Sequence, residues 1–285
     1  MSRWQPPQDL GRDSVVIVGV PFDEKSSFRR GAADGPESLR EALGSPSTNL
    51  CTESGRDLGS EPRLRDLGDL DLASCSAFEE IESAFSLLAA AGARTIAIGG
   101  DHSISYPILE GTTSGSGIRP TVVVVDAHPD LYDEFEGDRF SHACPFARIM
   151  EKGLASRLVQ VGIRGMSPEQ RRQAERFDVE VIDMIAWEQG RRPVVEGPIY
   201  LSVDLDGLDP AFAPGVSHPE PGGLSTRAVI RLIQELPGPL VWADIVELNP
   251  SADPTGITAR VGAKLLKEIG DRLLSDAETV RQSQL

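Results

Sequence analysis

Cysteine, long apolar runs and a leader-like N-terminus are scarce or missing in this sequence. The 285 residues contain only three cysteines, Cys51, Cys75 and Cys144, which are too few and too scattered for a disulfide framework and match no zinc motif. No apolar run is long enough to cross a bilayer. Residues 1–10 have neither the basic and apolar regions of a secretory signal nor the Arg-rich, acid-free composition of a transit peptide. We therefore expect a reducing, cytoplasmic location and no membrane partner.

Positive charge is also scarce. Lys and Arg number 28 against 44 Asp and Glu, which gives a formal net charge of −16. An acidic surface does not neutralise a phosphate backbone, so we expect no nucleic-acid partner. The charge is compatible with a small cationic substrate, which the field of the protein would attract, although solubility alone would also explain it.

Nucleotide-binding motifs are absent as well. No G-x-G-x-x-G follows the first predicted strand, and no G-x-x-x-x-G-K-[ST] occurs anywhere. The sequence also has no linker-like break, internal repeat or low-complexity segment. At roughly 150 residues per domain, the length would allow two domains. The unbroken pattern favours one, spanning 1–285, with 1–13 as a loose N-terminal tail.

Short apolar runs alternate with longer amphipathic stretches along the chain. The run 121–125 is entirely β-branched, which is typical of a strand covered on both faces. Strand–helix alternation predicts an α/β fold with a parallel sheet and helices on both faces. The expected strands are 14–20, 95–98, 121–125, 158–162, 179–182, 199–203 and 240–246. The expected helices are 35–43, 77–91, 144–151, 168–176, 226–236 and 258–277, and 45–66 is expected to be a loop.

Acidic and imidazole side chains follow four of these strands. Ligands of an open parallel sheet bind beyond the carboxyl ends of its strands, so these residues mark the expected site. They are GGDHS at 99–103, DAHPD at 126–130, DLD at 204–206 and Glu247.

Alternating residues of these motifs can converge, because positions i, i+2 and i+4 of an extended chain face the same way. Clustered acids and histidines with no Lys or Arg among them repel one another unless a cation lies between them. A mixed set of this kind suits Mn, Fe, Zn or Ni rather than Ca or Mg. Each motif alone is more often a loop or capping element, but their conjunction predicts two metals about 3.5–4 Å apart. The candidate ligands are His102, Asp126, His128, Asp130, Asp204 and Asp206.

Three further residues near the motifs are candidates for other roles. His142 follows the ligand motifs closely, which favours proton transfer over the role of an ordinary loop histidine. Cys144 lies two residues further on, and groups so close in sequence rarely form a nucleophile pair. His218 lies in the Pro- and Gly-rich loop 214–223, and we interpret it as structural or pocket-lining.

These motifs resemble those of the ureohydrolase family, which comprises arginases, agmatinases and their relatives. The matching segments span nearly the whole chain. Two of them look closest to plant-type arginases, DAHPDLYDEFEGDRFSHACPFARIMEKG and APGVSHPEPGGLS. The others are VGVPFD, GAADGPESLR, GGDHS, SVDLDGLDPAFAPG and ELNP.

The resemblance implies a three-layer α/β/α fold with a mostly parallel sheet of roughly eight strands. It also implies two Mn²⁺ ions per chain and a homo-oligomer, a trimer or a hexamer. By motif position, the ligands of one ion are His102, Asp126, Asp130 and Asp204. Those of the second ion are Asp126, His128, Asp204 and Asp206. His142 matches the family's proton-shuttle histidine, and Glu247 matches the acid that pairs with the substrate guanidinium.

The implied reaction is hydrolysis of the guanidino group of L-arginine to urea and L-ornithine. A guanidinium carbon is a poor electrophile, so the reaction needs a strong nucleophile at neutral pH, and a hydroxide shared by two cations is one. Where animal-type arginases carry an asparagine for the α-carboxylate, this chain has Tyr132, so agmatine and other guanidino or formimino compounds stay open as substrates. A pseudoenzyme that retains only the fold also stays open, as does a deacetylase, which would need the ligands of a single metal.

Overall fold

The computed structural model describes residues 4–72 and 76–282. The strands within these residues are β1 (Val15–Val20), β2 (Leu64–Asp69), β3 (Arg94–Gly99), β4 (Thr121–Val125), β5 (Arg157–Ile163), β6 (Glu180–Asp183), β7 (Ile199–Asp204) and β8 (Leu240–Val246). The α-helices are α1 (Gly35–Leu43), α2 (Ala77–Ala90), α3 (Ser105–Ser116), α4 (Pro145–Glu151), α5 (Pro168–Arg176), α6 (Met184–Glu188), α7 (Thr226–Glu235) and α8 (Ile257–Gln282).

The strands form one sheet in which all neighbours run parallel, in the order β2-β1-β3-β8-β7-β4-β5-β6. This order places β3, β8, β7 and β4 side by side. Their ladders stay in register toward their carboxyl ends, since Ile98 and Val203 both pair with Ile245, and Val203 also pairs with Val125. The four segments that follow these strands therefore emerge at one edge of the sheet, where ligands of such folds bind.

Alternate residues of each strand pack on opposite faces of the sheet. In β1, Val15 and Ile17 belong to a core shared with α1, α7 and α8, whereas Val16 and Val18 belong to a second core shared with α2, α3 and α4. Helices thus cover both faces, and the molecule has three layers. The α/β fold with a parallel sheet of eight strands is confirmed.

Strand β2 is an exception to the sequence prediction, because the segment 45–66, expected to be a loop, contains its beginning. Its sequence LRDLGD is polar because β2 lies at the edge of the sheet, where a strand need not be apolar. Arg40 of α1 holds it through ion pairs with Asp66 and Asp69. Because this segment is polar, the sequence pattern does not identify it as a strand.

The sequence pattern also does not predict α3 or the short helix α6. A Cβ atom at Gly111 would lie 2.3 Å from the carbonyl oxygen of Glu82, and one at Gly115 would lie 2.1 Å from that of Ser86. Helices α2 and α3 therefore touch backbone to backbone. Glycine lowers intrinsic helix propensity, so the residues that permit this contact weaken the helical signal of α3.

The rest of the predicted elements agree with the structure to within one residue at each end, except that α8 continues to Gln282. Residues 4–14 form no helix or strand, but Trp4 and Leu10 pack against the second core. Residues 1–3 and Cys75 lie outside the described residues. The single domain over 1–285 and the loose tail over 1–13 stay predictions. Within the described ranges, no helix combines the length and apolar character that a membrane span requires.

Candidate active site

Six side chains at the carboxyl edge of the sheet form two adjoining groups of metal-ligand type. The ligand atoms of the first group lie within 4.8 Å of one another and belong to His102, Asp126, Asp130 and Asp204. His102 Nδ1 lies 3.1 Å from Oδ2 of both Asp130 and Asp204. It lies 3.2 Å from Oδ2 of Asp126. All four side chains are buried, so the sheet gathers these predicted ligands from three different strand exits.

The second group consists of Asp126, His128 and Asp206. His128 Nδ1 lies 3.1 Å from Asp206 Oδ2 and 3.8 Å from Asp126 Oδ1. Asp126 therefore takes part in both groups through different oxygens, which is the arrangement expected of a carboxylate between two metals. Asp204 is the second carboxylate expected to contribute to both groups. Its oxygen lies within 4.8 Å of the other ligand atoms only in the first group.

Like charges are packed closely in both groups. Burial, together with the carboxylates of Asp130 and Asp204, raises the pKa of Asp126 well above its ordinary value. Burial and the carboxylate of Asp206 raise the pKa of Asp204 to about 7. At His128 burial opposes a charge, but the nearby carboxylates outweigh it and raise the ring's pKa to about 11. Each shift results from burial of carboxylates close to one another.

Two atoms of the cluster have unused bonding capacity. Within the described part of the chain, His102 Nδ1 and Asp126 Oδ2 are buried without a hydrogen-bond partner, although they lie only 3.2 Å apart. An unpartnered buried polar atom is costly, and a cation held by both atoms would remove that cost. Histidine nitrogen together with carboxylate oxygen is a donor set that suits Mn²⁺ and similar ions. The residues therefore fit the divalent metals that the family resemblance implies.

Two site residues are held in left-handed backbone conformations. Asp130 has φ 47° and Glu247 has φ 64°, which costs a residue other than glycine about 1–3 kcal/mol. Surrounding hydrogen bonds maintain both conformations. Gln160 Nε2 donates to the carbonyl of Pro129 at 2.6 Å, and the Glu247 N–H donates to the carbonyl of Gly100 at 2.9 Å. Both strained residues therefore lie in the segments that follow the carboxyl ends of strands.

Glu247 presents a carboxylate of which only one oxygen is satisfied. Its Oε1 accepts a hydrogen bond from the backbone N–H of His102 at 2.9 Å. Its Oε2 is buried without a partner among the described residues. Burial and the carboxylates of Asp204 and Asp101 raise the pKa of Glu247 well above its ordinary value. This site therefore favours a cationic group that can bind Oε2.

His142 lies beside Glu247. Its Nδ1 is 3.8 Å from Glu247 Oε1, and its Nε2 shares a 2.8 Å hydrogen bond with the hydroxyl of Ser27. The ring stacks on His218, with 4.8 Å between the ring centroids. Burial lowers the pKa of His142 to about 4, below the value near 7 that its predicted role suggested. The ring is therefore neutral at physiological pH.

A cavity of about 220 Å³ connects these groups. Its lining residues are Ser27, His128, Asp130, Tyr132, Phe135, His142, Ala143, Gly165, Ser167, Gln170, Asp204, Asp206, His218 and Glu247. No Lys or Arg of the described chain is among them. His218 lines the cavity, as the sequence suggested. A larger open groove of about 1030 Å³ runs along β6, but none of the predicted site residues lines it.

Cys144 does not belong to this cavity. The residue is buried and unpaired, and its Sγ contacts the carbonyl of Asp138 at 3.7 Å. Burial and the carboxylate of Asp130 raise the pKa of the thiol to about 12. A protonated thiol is a poor nucleophile, so the geometry agrees with its exclusion from the site.

Sequence reasoning missed three polar residues of the cavity. Ser167 and Gln170 form a capping box at the start of α5. The side-chain oxygen of each residue accepts a hydrogen bond from the backbone N–H of the other. Ser-Pro-x-Gln is a readable capping signal, but it does not show that the turn faces a cavity. Ser27 carries no sequence signal at all, because its place beside His142 results from a contact over 115 positions of the chain.

The chain is similar to known proteins over most of its length. A profile of the arginase family matches residues 13–270. Arginase 1, mitochondrial, of Oryza sativa subsp. japonica is 43% identical over 274 residues, which cover 90% of this chain and 80% of that protein. Arginase 2, chloroplastic/mitochondrial, of Arabidopsis thaliana is 41% identical over 284 residues, which cover 91% of this chain and 80% of that protein.

A solved structure shows the same similarity in three dimensions. The structure of arginase from Medicago truncatula superimposes with a TM-score of 0.87 at 39% sequence identity. The superposition covers 91% of this chain and 87% of that chain. The three-layer fold is therefore shared along nearly the full sequence.

These comparisons correct one expectation from the sequence. The rice protein is named as mitochondrial and the Arabidopsis protein as chloroplastic or mitochondrial, so the expected cytoplasmic location is wrong. That expectation depended on cysteine content and on the composition of residues 1–10.

Proposed function

The chain belongs to the arginase family, and on that premise we propose that it hydrolyses the guanidino group of L-arginine to urea and L-ornithine. Family membership confirms the resemblance predicted from the motifs and makes the protein a metal-dependent ureohydrolase. One observation carries the proposal: the ligand cluster and the half-satisfied carboxylate of Glu247 open into the same cavity.

The proposed cofactor is two Mn²⁺ ions per chain. The first group of ligands, centred on His102, would hold one ion, and Asp126, His128 and Asp206 would hold the second, with Asp204 as a further ligand of the second ion by motif position. When bound, such ions would supply Lewis acidity, which lowers the pKa of water to about 7 and so provides a nucleophile at neutral pH. The unpartnered atoms of His102 and Asp126 support this assignment.

Glu247 is proposed to bind and orient the guanidinium. Its free Oε2 is buried and unpartnered, and a guanidinium offers planar N–H donors that match a carboxylate. Because Oε1 is fixed by the backbone N–H of His102, the direction of the carboxylate is fixed relative to the metal ligands. Glu247 thus holds the guanidinium carbon close to the nucleophile.

His142 is proposed to carry the proton that the leaving amine needs. Ser27 is exposed and bonds His142 Nε2, which connects the ring to solvent. With a pKa of about 4, the ring does not store a proton at neutral pH. It therefore acts by taking up a proton at one nitrogen while it releases one from the opposite nitrogen, a transfer that neutral imidazole can perform.

Agmatine is the second candidate substrate. The part of the described chain that lines the cavity offers no Lys or Arg for an α-carboxylate, and Tyr132 lines it where animal-type enzymes have an asparagine. Agmatine is the substrate that lacks this carboxylate. Both candidates share the guanidinium that Glu247 would bind, so the chemistry at the metal end is the same.

A deacetylase and a pseudoenzyme receive less support. A deacetylase would need one set of metal ligands, whereas two groups sharing Asp126 are present. A pseudoenzyme would lack a ligand, His142 or Glu247, and none of these is replaced. We also propose a single domain over 1–285 and self-association into a trimer or a hexamer, which sedimentation equilibrium would measure.

Urea release from four compounds in parallel tests the proposed function. The Mn²⁺-loaded protein should be given L-arginine, agmatine, guanidinobutyrate and guanidine at equal concentrations. A higher kcat/KM for arginine than for the remaining three is the expected result. Preference for agmatine would assign the second candidate, and no urea from any of the four would contradict both.

A further inference from the structure

A fully buried carboxylate lies directly behind the metal-ligand cluster. Asp244 of β8 has no exposed surface, and no Lys or Arg of the described residues forms an ion pair with it. Three hydroxyl groups donate hydrogen bonds to it instead. Ser202 donates to Oδ1 at 2.6 Å, whereas Ser105, at 2.7 Å, and Tyr200 donate to Oδ2. Burying a carboxyl group is costly, so this one calls for an explanation.

The sheet directs this carboxylate toward the metal ligands. Ser202 of β7 lies opposite Asp244 of β8 in the parallel ladder. Residues two apart on a strand share a face, so Ser202 and the ligand Asp204 lie on the same face of β7. The hydroxyl of Ser202 also lies 2.9 Å from Nε2 of His102. A continuous hydrogen-bonded chain therefore runs from Asp244 through Ser202 to His102.

The hydrogen bond to Asp244 determines the direction of this chain. The Ser202 hydroxyl donates its one proton to Oδ1 of Asp244. The Ser202 oxygen can then only accept from His102, which places a proton on Nε2. With its proton on Nε2, the ring can present a lone pair on Nδ1, the atom that faces Asp126, Asp130 and Asp204.

We propose that Asp244 is a positioning residue that acts through Ser202 to fix His102 in the Nε2–H tautomer, so that Nδ1 is available to a metal ion. The proposal rests on the function proposed above, in which His102 is a ligand. A fixed tautomer and ring orientation increase the affinity of a metal site, and loss of such support typically costs about 10–100-fold in metal binding.

Asp244→Asn tests the proposal because it should reverse the chain. The hydroxyls of Ser105 and Tyr200 still need an acceptor, so the asparagine oxygen should face them and its NH₂ group should face Ser202. Ser202 would then accept from Asn and donate to His102 Nε2. The remaining ring proton would lie on Nδ1, where it blocks metal binding.

The experiment measures Mn²⁺ binding to full-length, metal-stripped protein by titration calorimetry. Asp244→Asn should weaken binding by about 10–100-fold, and Ser202→Ala should weaken it as well. Ser202→Thr retains the hydroxyl and should restore binding. Tyr200→Phe is the matched control, because it removes a hydrogen bond from Oδ2 of the same carboxylate but leaves the chain to His102 intact. It should change the Kd by less than about threefold.

Two further readouts separate positioning from a structural role. In a Ser202→Ala background, Asp244→Asn should have little additional effect on Mn²⁺ affinity, since the connection is already cut. The sequence has only four histidines, so ¹⁵N-histidine labelling resolves the ring of His102. With Zn²⁺ as a diamagnetic probe, the Nε2–H of His102 should exchange slowly in the wild type and faster in Ser202→Ala.

The outcomes are distinct. Equal losses of affinity in Asp244→Asn and Tyr200→Phe, or additive losses in the double variant, would overturn the proposal and assign Asp244 to stability alone. If Asp244→Asn does not fold, Mn²⁺ binding by Ser202→Ala and by Ser202→Thr is compared instead. Weaker binding in Ser202→Ala than in Ser202→Thr supports the proposal, and equal binding overturns it. A wild-type protein that binds no Mn²⁺ would refute the proposed function instead, so the two failures cannot be confused.

Discussion

Replacement of Glu247 by glutamine perturbs guanidinium binding with little change in shape. In the structure, Oε1 accepts from the backbone N–H of His102 at 2.9 Å, whereas Oε2 is buried and has no partner among the described residues. The glutamine oxygen should keep the bond to His102, because that N–H needs an acceptor. Its NH₂ group then occupies the place of Oε2 and faces the N–H donors of the substrate.

The expected effect follows from that geometry. The substrate loses a charge-assisted hydrogen bond, worth about 1.5–3 kcal/mol, and meets a donor instead of an acceptor. Breaking one side of a buried charged pair costs about 2–5 kcal/mol in comparable systems. A loss of about 3–4 kcal/mol corresponds to roughly 10²–10³-fold in kcat/KM, at one factor of ten per 1.36 kcal/mol.

The assay is steady-state urea release at saturating Mn²⁺, with arginine and agmatine as separate substrates. Both should lose the same factor, because both present the same guanidinium. Bound Mn²⁺ and melting temperature serve as controls, and Glu247→Asp, which retains the charge on a shorter side chain, should fall between wild type and Glu247→Gln. Near-normal kcat/KM in Glu247→Gln for both substrates would show that the guanidinium is held elsewhere.

The remaining predictions concern Asp126 and His142. Asp126→Asn alters a residue of both ligand groups, so bound Mn²⁺ and urea release should fall together by more than about tenfold; full activity in a metal-free preparation would refute the two-metal account. His142→Ala should lower kcat by about 10²–10⁴-fold without loss of bound Mn²⁺, and a parallel loss of metal would reassign His142 as a ligand. Burial lowers the pKa of His142 from 6.5 to about 4, so the unfolded chain binds a proton that the native chain excludes. The contribution of His142 to the free energy of unfolding of the metal-free protein should therefore decrease as the pH falls from 6.5 to 4, so that wild type should lose about 3 kcal/mol more than His142→Ala over this range. Identical pH slopes for the two proteins would contradict this.

The convergence of the proposed metal ligands could be predicted because it depends on local sequence and one topological rule. The β-branched run 121–125, followed by Asp126, and the mostly apolar run 199–203, followed by Asp204, each indicate a buried strand whose exit carries an acid. Parallel strands bring their carboxyl ends to one edge, so the ligands gather without knowledge of the strand order. The observed order places β4 beside β7, which is why these two carboxylates meet.

Features that depend on contacts distant in the sequence could not be predicted. Ser27 lies beside His142, and Asp244 supports His102 through Ser202, only because the folded sheet and loops bring them together. The low pKa of His142 results from burial, which the isolated sequence around a single loop histidine does not reveal. Helix α3 was not predicted because the glycines that let it contact α2 lower its intrinsic helix propensity.

The measurement that tests the central claim most directly is urea release from L-arginine during titration of the metal-stripped protein with Mn²⁺. Bound ions and initial rates should be determined at each addition. The account predicts that activity rises with occupancy and reaches its maximum when two ions are bound per chain, as expected for a site whose two ligand groups share Asp126. Full activity without bound metal, or saturated metal sites without urea release, would contradict it.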